Sequence, residues 1–186
     1  GREYEYRRLA VLGDLVGGRL SAVCVPAEAL LQYTMPKEEF CRNTLTLKPG
    51  LELPLTTLEE RLFDAGYHRR GQVEGPGQFS VRGGIVDIWP PEAKSPARCE
   101  YWGDEIDILA SFDALSQRRD GTLEKLYISP AREVLFGSAA DTAAALRSAL
   151  AKEKGRRAAA MEKAMAADLA QLDAGLVPEA LDKYLG

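Results

Sequence analysis

The sequence predicts an α+β protein, in which an antiparallel β-meander has flanking helices. Three observations support this class. Short stretches of alternating apolar and polar residues recur between Thr44 and Phe136, and clusters of glycine and proline separate them. From Ser138 onwards alanine, leucine, lysine and glutamate dominate, which predicts an α-helical C-terminal element. The opening residues add a residual α/β piece.

The residual α/β piece occupies the first 36 residues. Residues 4–15 carry apolar side chains at helical spacing, and Gly17-Gly18 ends the pattern. Residues 21–25 are expected to form a buried strand, and residues 27–33 a second helix. Because one strand cannot make a sheet alone, this piece is expected to belong to a larger sheet whose other strands lie outside the sequence.

A central helix precedes the meander, and two capping boxes compete for its start. Thr57 with Glu60 is one register, and Thr56 with Glu59 is the other. Gly66 is expected to end the helix. Strands are then predicted at residues 67–73, 78–82, 85–89 and 98–102. In the C-terminal element, Gly155 is expected to separate two helices, and a short last helix is expected to end at Leu185.

Alternation along the strands predicts which side chains face the core. If Phe79 and Val81 point inward, Arg82 points outward, and the same rule places Arg98 and Trp102 on the outer face of the return strand. The predicted core consists of Leu58, Leu62, Phe63, Phe79, Val81, Val86, Ile88, Tyr101, Ile106 and Ile108.

Arg98 and Trp102 have two interpretations. Arginine and tryptophan dominate the hot spots of protein interfaces, so an outward tryptophan among charged residues indicates a partner protein. Alternatively, Trp102 packs against a neighbouring loop, and Arg98 pairs with Glu100 or Asp87. The alternation by itself leaves both interpretations open.

Enzyme and metal chemistry find little support. No phosphate-binding G-x-x-x-x-G-K-[ST] loop occurs, and the sequence has a single histidine, His68. The three cysteines form no C-x-x-C pair, and the acidic residues 104–107 lack a histidine beside them. We therefore expect no catalytic residue, no metal and no cofactor.

Charge and hydropathy favour a cytoplasmic protein that does not bind a membrane. The net charge is −4, which gives no general attraction to nucleic acid. No apolar run approaches the roughly 20 residues that span a bilayer. The first eight residues are mostly charged or aromatic and do not resemble a secretion signal.

Four segments together resemble the UvrB-homology module of the bacterial transcription-repair coupling factors (Mfd). They are PGQFSVRGGIVDIWP at residues 76–90, RCEYWGDEIDIL at residues 98–109, SFDALSQRR at residues 111–119 and ISPAREVL at residues 128–135. The first residues and the helical tail also look like parts of that module. UvrB itself shares the strand-turn-strand portion and is the second choice.

The resemblance implies a degenerate helicase-like module that has lost its ATP site and whose central domain docks UvrA. It implies a helicase-like remnant at residues 1–42, the docking domain at residues 43–137 and a closing helical element at residues 138–186. By motif match, the UvrA-contacting residues of the family fall on Arg82, Arg98 and Trp102. The family usually has phenylalanine where this sequence has Trp102, so the contact is expected to keep its place with an altered shape.

In function, the resemblance implies a non-catalytic module that recruits UvrA to stalled RNA polymerase in nucleotide excision repair. The family's full-length protein is an ATP-dependent translocase on double-stranded DNA, and its motor and polymerase-binding parts lie outside this sequence. The alternative is a DNA-binding fragment of a UvrB-like repair helicase. Its phosphate contacts would be Arg69, Arg70, Arg118 and Arg119.

Overall fold

A computed structural model describes residues 3–31, 34–135 and 139–175. It divides into two compact units: the described residues 3–30 and 34–135 form the first, and Leu31 and the C-terminal helices belong to the second. The α+β class with a meander and C-terminal helices is confirmed. The three-way division at residues 42/43 and 137/138 stays a prediction.

The N-terminal part of the first unit is helical. Its helices are α1 (Glu3–Val16), α2 (Ala27–Leu30) and α3 (Lys37–Arg42). Leu9, Met35 and Phe40 form its small apolar core. The predicted helix at residues 4–15 is confirmed, but the predicted strand at residues 21–25 is wrong, because that stretch is neither helix nor strand. Its apolar side chains are exposed and its backbone pairs with neither edge of the main sheet, so nothing holds it extended.

The rest of the first unit contains one helix and eight strands among its described residues. These are β1 (Leu45–Leu47), α4 (Leu55–Asp64), β2 (His68–Arg69), β3 (Gln78–Arg82), β4 (Ile85–Trp89), β5 (Ala97–Trp102), β6 (Glu105–Phe112), β7 (Arg119–Thr122) and β8 (Leu126–Ile128). The main sheet has the order β2-β3-β4-β5-β6-β7, parallel between β2 and β3 and antiparallel elsewhere. Strands β1 and β8 form a separate antiparallel pair. The predicted strand at residues 67–73 shrinks to the two residues of β2.

Helix α4 begins and ends by backbone geometry. It begins at Leu55 after Pro54, without a side-chain cap, so both predicted capping boxes are wrong. Thr56 and Thr57 already lie inside the first turn, where neither occupies the cap position. The predicted end at Gly66 is confirmed: its φ is 84°, and its N–H donates to the Phe63 carbonyl at 2.9 Å. Tyr67 N–H donates to the Leu62 carbonyl at 2.9 Å, which completes a Schellman motif.

Most of the predicted core is confirmed. Leu58 and Leu62, one helical turn apart, are buried against the inner face of the sheet, which is the face towards α4. Phe63 is half-exposed, so its place in the core is wrong. Its position is turned by about 100° from that of Leu62, and its ring reaches only the edge of the core, beside Phe79 at 5.1 Å.

A β-bulge in β6 overturns one further core prediction. Tyr101 lies opposite Ile106, and Glu100 lies opposite Ile108, so Asp107 is an extra residue without a partner. The alternation therefore shifts by one residue after Ile106. Leu109 is buried where strict alternation had placed Ile108, which is only half-buried.

The second unit is a pair of helices, α5 (Ala139–Lys152) and α6 (Gly155–Asp173). Their shared core contains Ala143, Leu146, Met165 and Leu172. The break predicted at Gly155 is confirmed, and this residue has a φ of 66°. The last predicted helix lies outside the described residues. None of the described helices is both long enough and apolar enough to span a membrane.

The bulge gives a direct test of the core. Leu109→Ala should lower the free energy of unfolding by about 3 kcal/mol, because it leaves a cavity in the core. Ile108→Ala should cost about 1 kcal/mol, because that side chain already contacts solvent. Urea denaturation of both variants measures the difference. Equal losses, or a larger loss for Ile108→Ala, would contradict the assigned bulge.

Candidate docking surface on the outer face of the sheet

The outer face of the main sheet, opposite α4, brings charged side chains from three neighbouring strands together. Asp87 of β4 lies directly between Ser80 of β3 and Arg98 of β5. Arg82 is two residues further along β3, opposite Ile85. Residues directly opposite one another project to the same face, so these side chains share one surface.

The carboxylate of Asp87 accepts hydrogen bonds from both Arg98 and Arg82. Arg98 donates from Nε to Oδ1 at 2.6 Å and from Nη2 to Oδ2 at 2.9 Å, which is a bidentate pair. Arg82 donates from Nη2 to Oδ2 at 2.5 Å. The Asp87 side chain is only 1% exposed, so this carboxylate lies beneath the surface and the arginines lie around it.

Arg98 also contacts an aromatic ring and a backbone carbonyl. Its guanidinium lies 4.6 Å from the centre of the Phe112 ring, and its Nη1 donates to the Gln117 carbonyl at 3.4 Å. Only 14% of its side chain is exposed. The hydrogen bonds that Arg98 donates to Asp87 raise the pKa of Arg98, while burial opposes that rise, so the group stays charged. Of the two internal partners proposed for Arg98, Asp87 is confirmed, whereas Glu100 pairs with Arg119 instead.

Trp102 has the opposite environment. It ends β5, just before a turn at Gly103 whose φ is 61°, and it is 83% exposed. Its predicted outward direction is confirmed, and the alternative that it packs against a loop is wrong. Arg82 is intermediate, with 46% of its side chain exposed. A contact of Arg82, Arg98 or Trp102 with a partner protein stays a prediction.

The sequence predicts Asp87 only as one internal partner of Arg98 and not as a residue of the site. Strict parity predicts an outward, solvated aspartate there, and the structure buries both Asp87 and its neighbour Ser80. The available signal was a carboxylate in the middle of the apolar run IVDIW. A charge at such a position is stable only with a partner.

The four arginines of the DNA-binding alternative do not form one patch. Arg69 and Arg70 are at or beside the edge strand β2, and Arg118 and Arg119 are at or beside the opposite edge β7. Five strand spacings separate the edges, which is roughly 24 Å. Arg69 also pairs with Glu59.

Metal binding has no support in the part of the chain that the structure describes. No group of three or more histidine, cysteine, aspartate or glutamate side chains is close enough to hold an ion. Cys99 is buried, which raises the pKa of its thiol far above the usual value, whereas Cys24 and Cys41 are exposed. A buried thiol in this protonated state is a packing group.

The main sheet thus forms an α+β module with a helix on one face, and with an exposed tryptophan and two ion-paired arginines on the other. Residues 45–134 match the family model of the UvrB interaction domain. The chain therefore carries a UvrB interaction domain, and its predicted resemblance to the UvrB-homology module of the transcription-repair coupling factors is confirmed.

Curated relatives agree with this assignment. The chain is 31% identical over 179 residues to the transcription-repair-coupling factor of Bacillus subtilis, covering 96% of this chain and 14% of that protein. It is 40% identical over 113 residues to the corresponding factor of Mycobacterium bovis, covering 60% and 9%. It is 31% identical over 135 residues to UvrABC system protein B of Chlorobium limicola, covering 73% and 20%. The chain thus spans a fifth or less of each of these proteins.

The exposure of Trp102 predicts its fluorescence. Trp102→Phe should remove most of the emission that acrylamide quenches, since the other tryptophan, Trp89, is half-buried and donates from Nε1 to the Ala93 carbonyl at 3.1 Å. The free energy of unfolding should change by no more than about 0.5 kcal/mol. Quenching that is unchanged in the variant would place Trp102 against the protein.

Proposed function

We propose that this chain is a protein-docking module that binds UvrA and has no catalytic activity of its own. The observation that carries the proposal is the exposed Trp102 on the same face as Arg82, within a UvrB interaction domain. Large aromatic and arginine side chains supply most of the binding energy at protein interfaces. Because Trp102 is exposed to solvent, its side chain is available to bind a partner protein.

Each of the three residues contributes differently. Trp102 is the apolar anchor, whose burial against UvrA excludes water from the surrounding polar contacts. Arg82 uses Nη2 for Asp87, so its other N–H groups are directed to carboxylates or carbonyls of UvrA. Arg98 uses Nε, Nη1 and Nη2 internally, so only the remaining N–H groups of Nη1 and Nη2 are left for UvrA.

In the cell, we propose, the module brings UvrA to stalled RNA polymerase during nucleotide excision repair. The support is the similarity to transcription-repair-coupling factors over 96% of the chain. Contacts with RNA polymerase and double-stranded DNA, and ATP-driven translocation, belong to the remainder of such a parent protein.

The DNA-binding alternative is favoured by one observation, the similarity to UvrABC system protein B. The positions of its four arginines count against it, because two edges about 24 Å apart share no continuous basic surface. Salt separates the two proposals. Binding through several phosphates weakens steeply with added salt, whereas an interface centred on an apolar anchor is less sensitive.

Trp102→Ala should weaken UvrA binding at least thirtyfold, which corresponds to about 2 kcal/mol, because it removes the central anchor. Isothermal titration with purified UvrA measures the affinity. Tyr4→Ala is the matched control, since Tyr4 is an equally exposed aromatic residue on α1, at 82%. Equal affinities of the two variants would place the interface elsewhere.

Arg82→Ala should weaken UvrA binding about tenfold and leave stability nearly unchanged, because half of its side chain is in solvent. Arg69→Ala is its control: Arg69 is about as exposed and also forms one ion pair, with Glu59. Gln78 is a poorer control, because its Oε1 accepts a hydrogen bond from the Glu74 N–H. Comparable binding by the Arg82 and Arg69 variants would remove Arg82 from the interface.

The chain should not hydrolyse ATP, because it lacks the glycine-rich loop and lysine that hold the phosphates. Phosphate release from ATP should equal that of a buffer blank, both without DNA and with duplex DNA added. Release that follows this protein through successive purification steps would contradict the proposal of a non-catalytic module.

A further inference from the structure

A buried carboxylate links the two arginines of the candidate surface. We propose that Asp87 is a positioning residue of the docking surface, which holds Arg82 and Arg98 in the arrangement that the partner binds. The inference rests on the proposed UvrA-binding function and deepens it, since it assigns part of the affinity to a residue that UvrA does not touch.

The position of Asp87 in the sheet makes this possible. β4 lies between β3 and β5, so one carboxylate is within reach of side chains from both neighbouring strands. Arg98 reaches it from directly opposite, and Arg82 reaches it from the diagonal position. Together they supply three N–H donors at 2.5–2.9 Å to the two carboxylate oxygens.

Electrostatics explains why the carboxylate is needed. Arg82 and Arg98 carry like charges and share Oδ2 of Asp87 as an acceptor. Without the negative charge between them, the two guanidinium groups would repel each other, and Arg98 would be a largely buried cation without a counterion. Arg82 is free to move into solvent, whereas Arg98 is confined by Phe112 and the Gln117 carbonyl.

Side-chain order links this cluster to affinity. A free arginine has many rotamers, and binding a partner restricts them at a cost in free energy. The Asp87 hydrogen bond restricts Arg82 before UvrA arrives, so less order has to be gained on binding. The same carboxylate holds Arg98, whose Nη1 also donates to the Gln117 carbonyl in the 113–118 loop.

The first experiment compares two neighbouring variants. Asp87→Asn keeps the shape of the side chain and removes its charge, and it should weaken UvrA binding about tenfold. Ser80→Ala is the matched control: Ser80 is equally buried, lies directly opposite Asp87, and its Oγ has no hydrogen-bond partner among the described residues. The control should bind UvrA within twofold of the parent chain. If Asp87→Asn binds UvrA within twofold of the parent chain, the proposal is overturned.

A double-mutant cycle separates positioning from a general loss of structure. Asp87→Asn should weaken binding clearly less in the Arg82→Ala background than in the parent chain, because the group that it positions is then absent. A purely structural effect would reduce the affinity by the same factor in both backgrounds. Factors that agree within twofold would overturn the proposal.

A measurement on the unaltered chain covers the case in which Asp87→Asn does not fold. ¹⁵N relaxation of the arginine Nε–H groups should show Arg82 and Arg98 as ordered, and the exposed Arg70 as mobile. Arg82 as mobile as Arg70 would overturn the proposal. If Trp102→Ala weakens UvrA binding and Asp87→Asn does not, the positioning role of Asp87 is rejected and the proposed function stands. If the unaltered chain does not bind UvrA, the proposed function fails and this proposal fails with it.

Discussion

Antiparallel backbone pairing of β3, β4, β5 and β6 sets the positions of both the apolar core and the charged cluster. Antiparallel register assigns every side chain of these strands to one of two faces. One face carries Phe79, Ile88 and Cys99 against α4, and it forms the apolar core. The other face then holds Asp87 next to two arginines, because a shift of one residue in the register would turn the apolar set outward.

The outer face combines a buried charged cluster with an exposed apolar side chain. A buried ion pair recovers little more than the cost of its own desolvation, so the cluster adds modest stability. The cluster holds two long side chains to one carboxylate, on the face that also carries the exposed Trp102. The proposed docking function rests on this exposed tryptophan and on arginines that a carboxylate already holds.

Much of the fold was predictable, because alternation and glycine positions are local signals. The strands at residues 78–82 and 85–89 and the helix end at Gly66 follow from them directly. The site residues were predicted by family motif and parity, and the outward direction of Trp102 is confirmed. The predictions at residues 21–25 and at Ile108 were wrong, since a strand needs a paired neighbour and a bulge depends on the register of two strands.

The α+β class, the meander, the lack of a phosphate-binding loop and the resemblance to a repair-factor module can all be read from the amino-acid sequence. These depend on residue order within short windows. The three-dimensional fold was needed to show that Asp87 is buried, that it binds both Arg82 and Arg98, and that Phe112 and Gln117 confine Arg98. Burial and ion pairing depend on which strands and loops cover a position. Contacts between residues far apart in the chain determine which strands and loops these are.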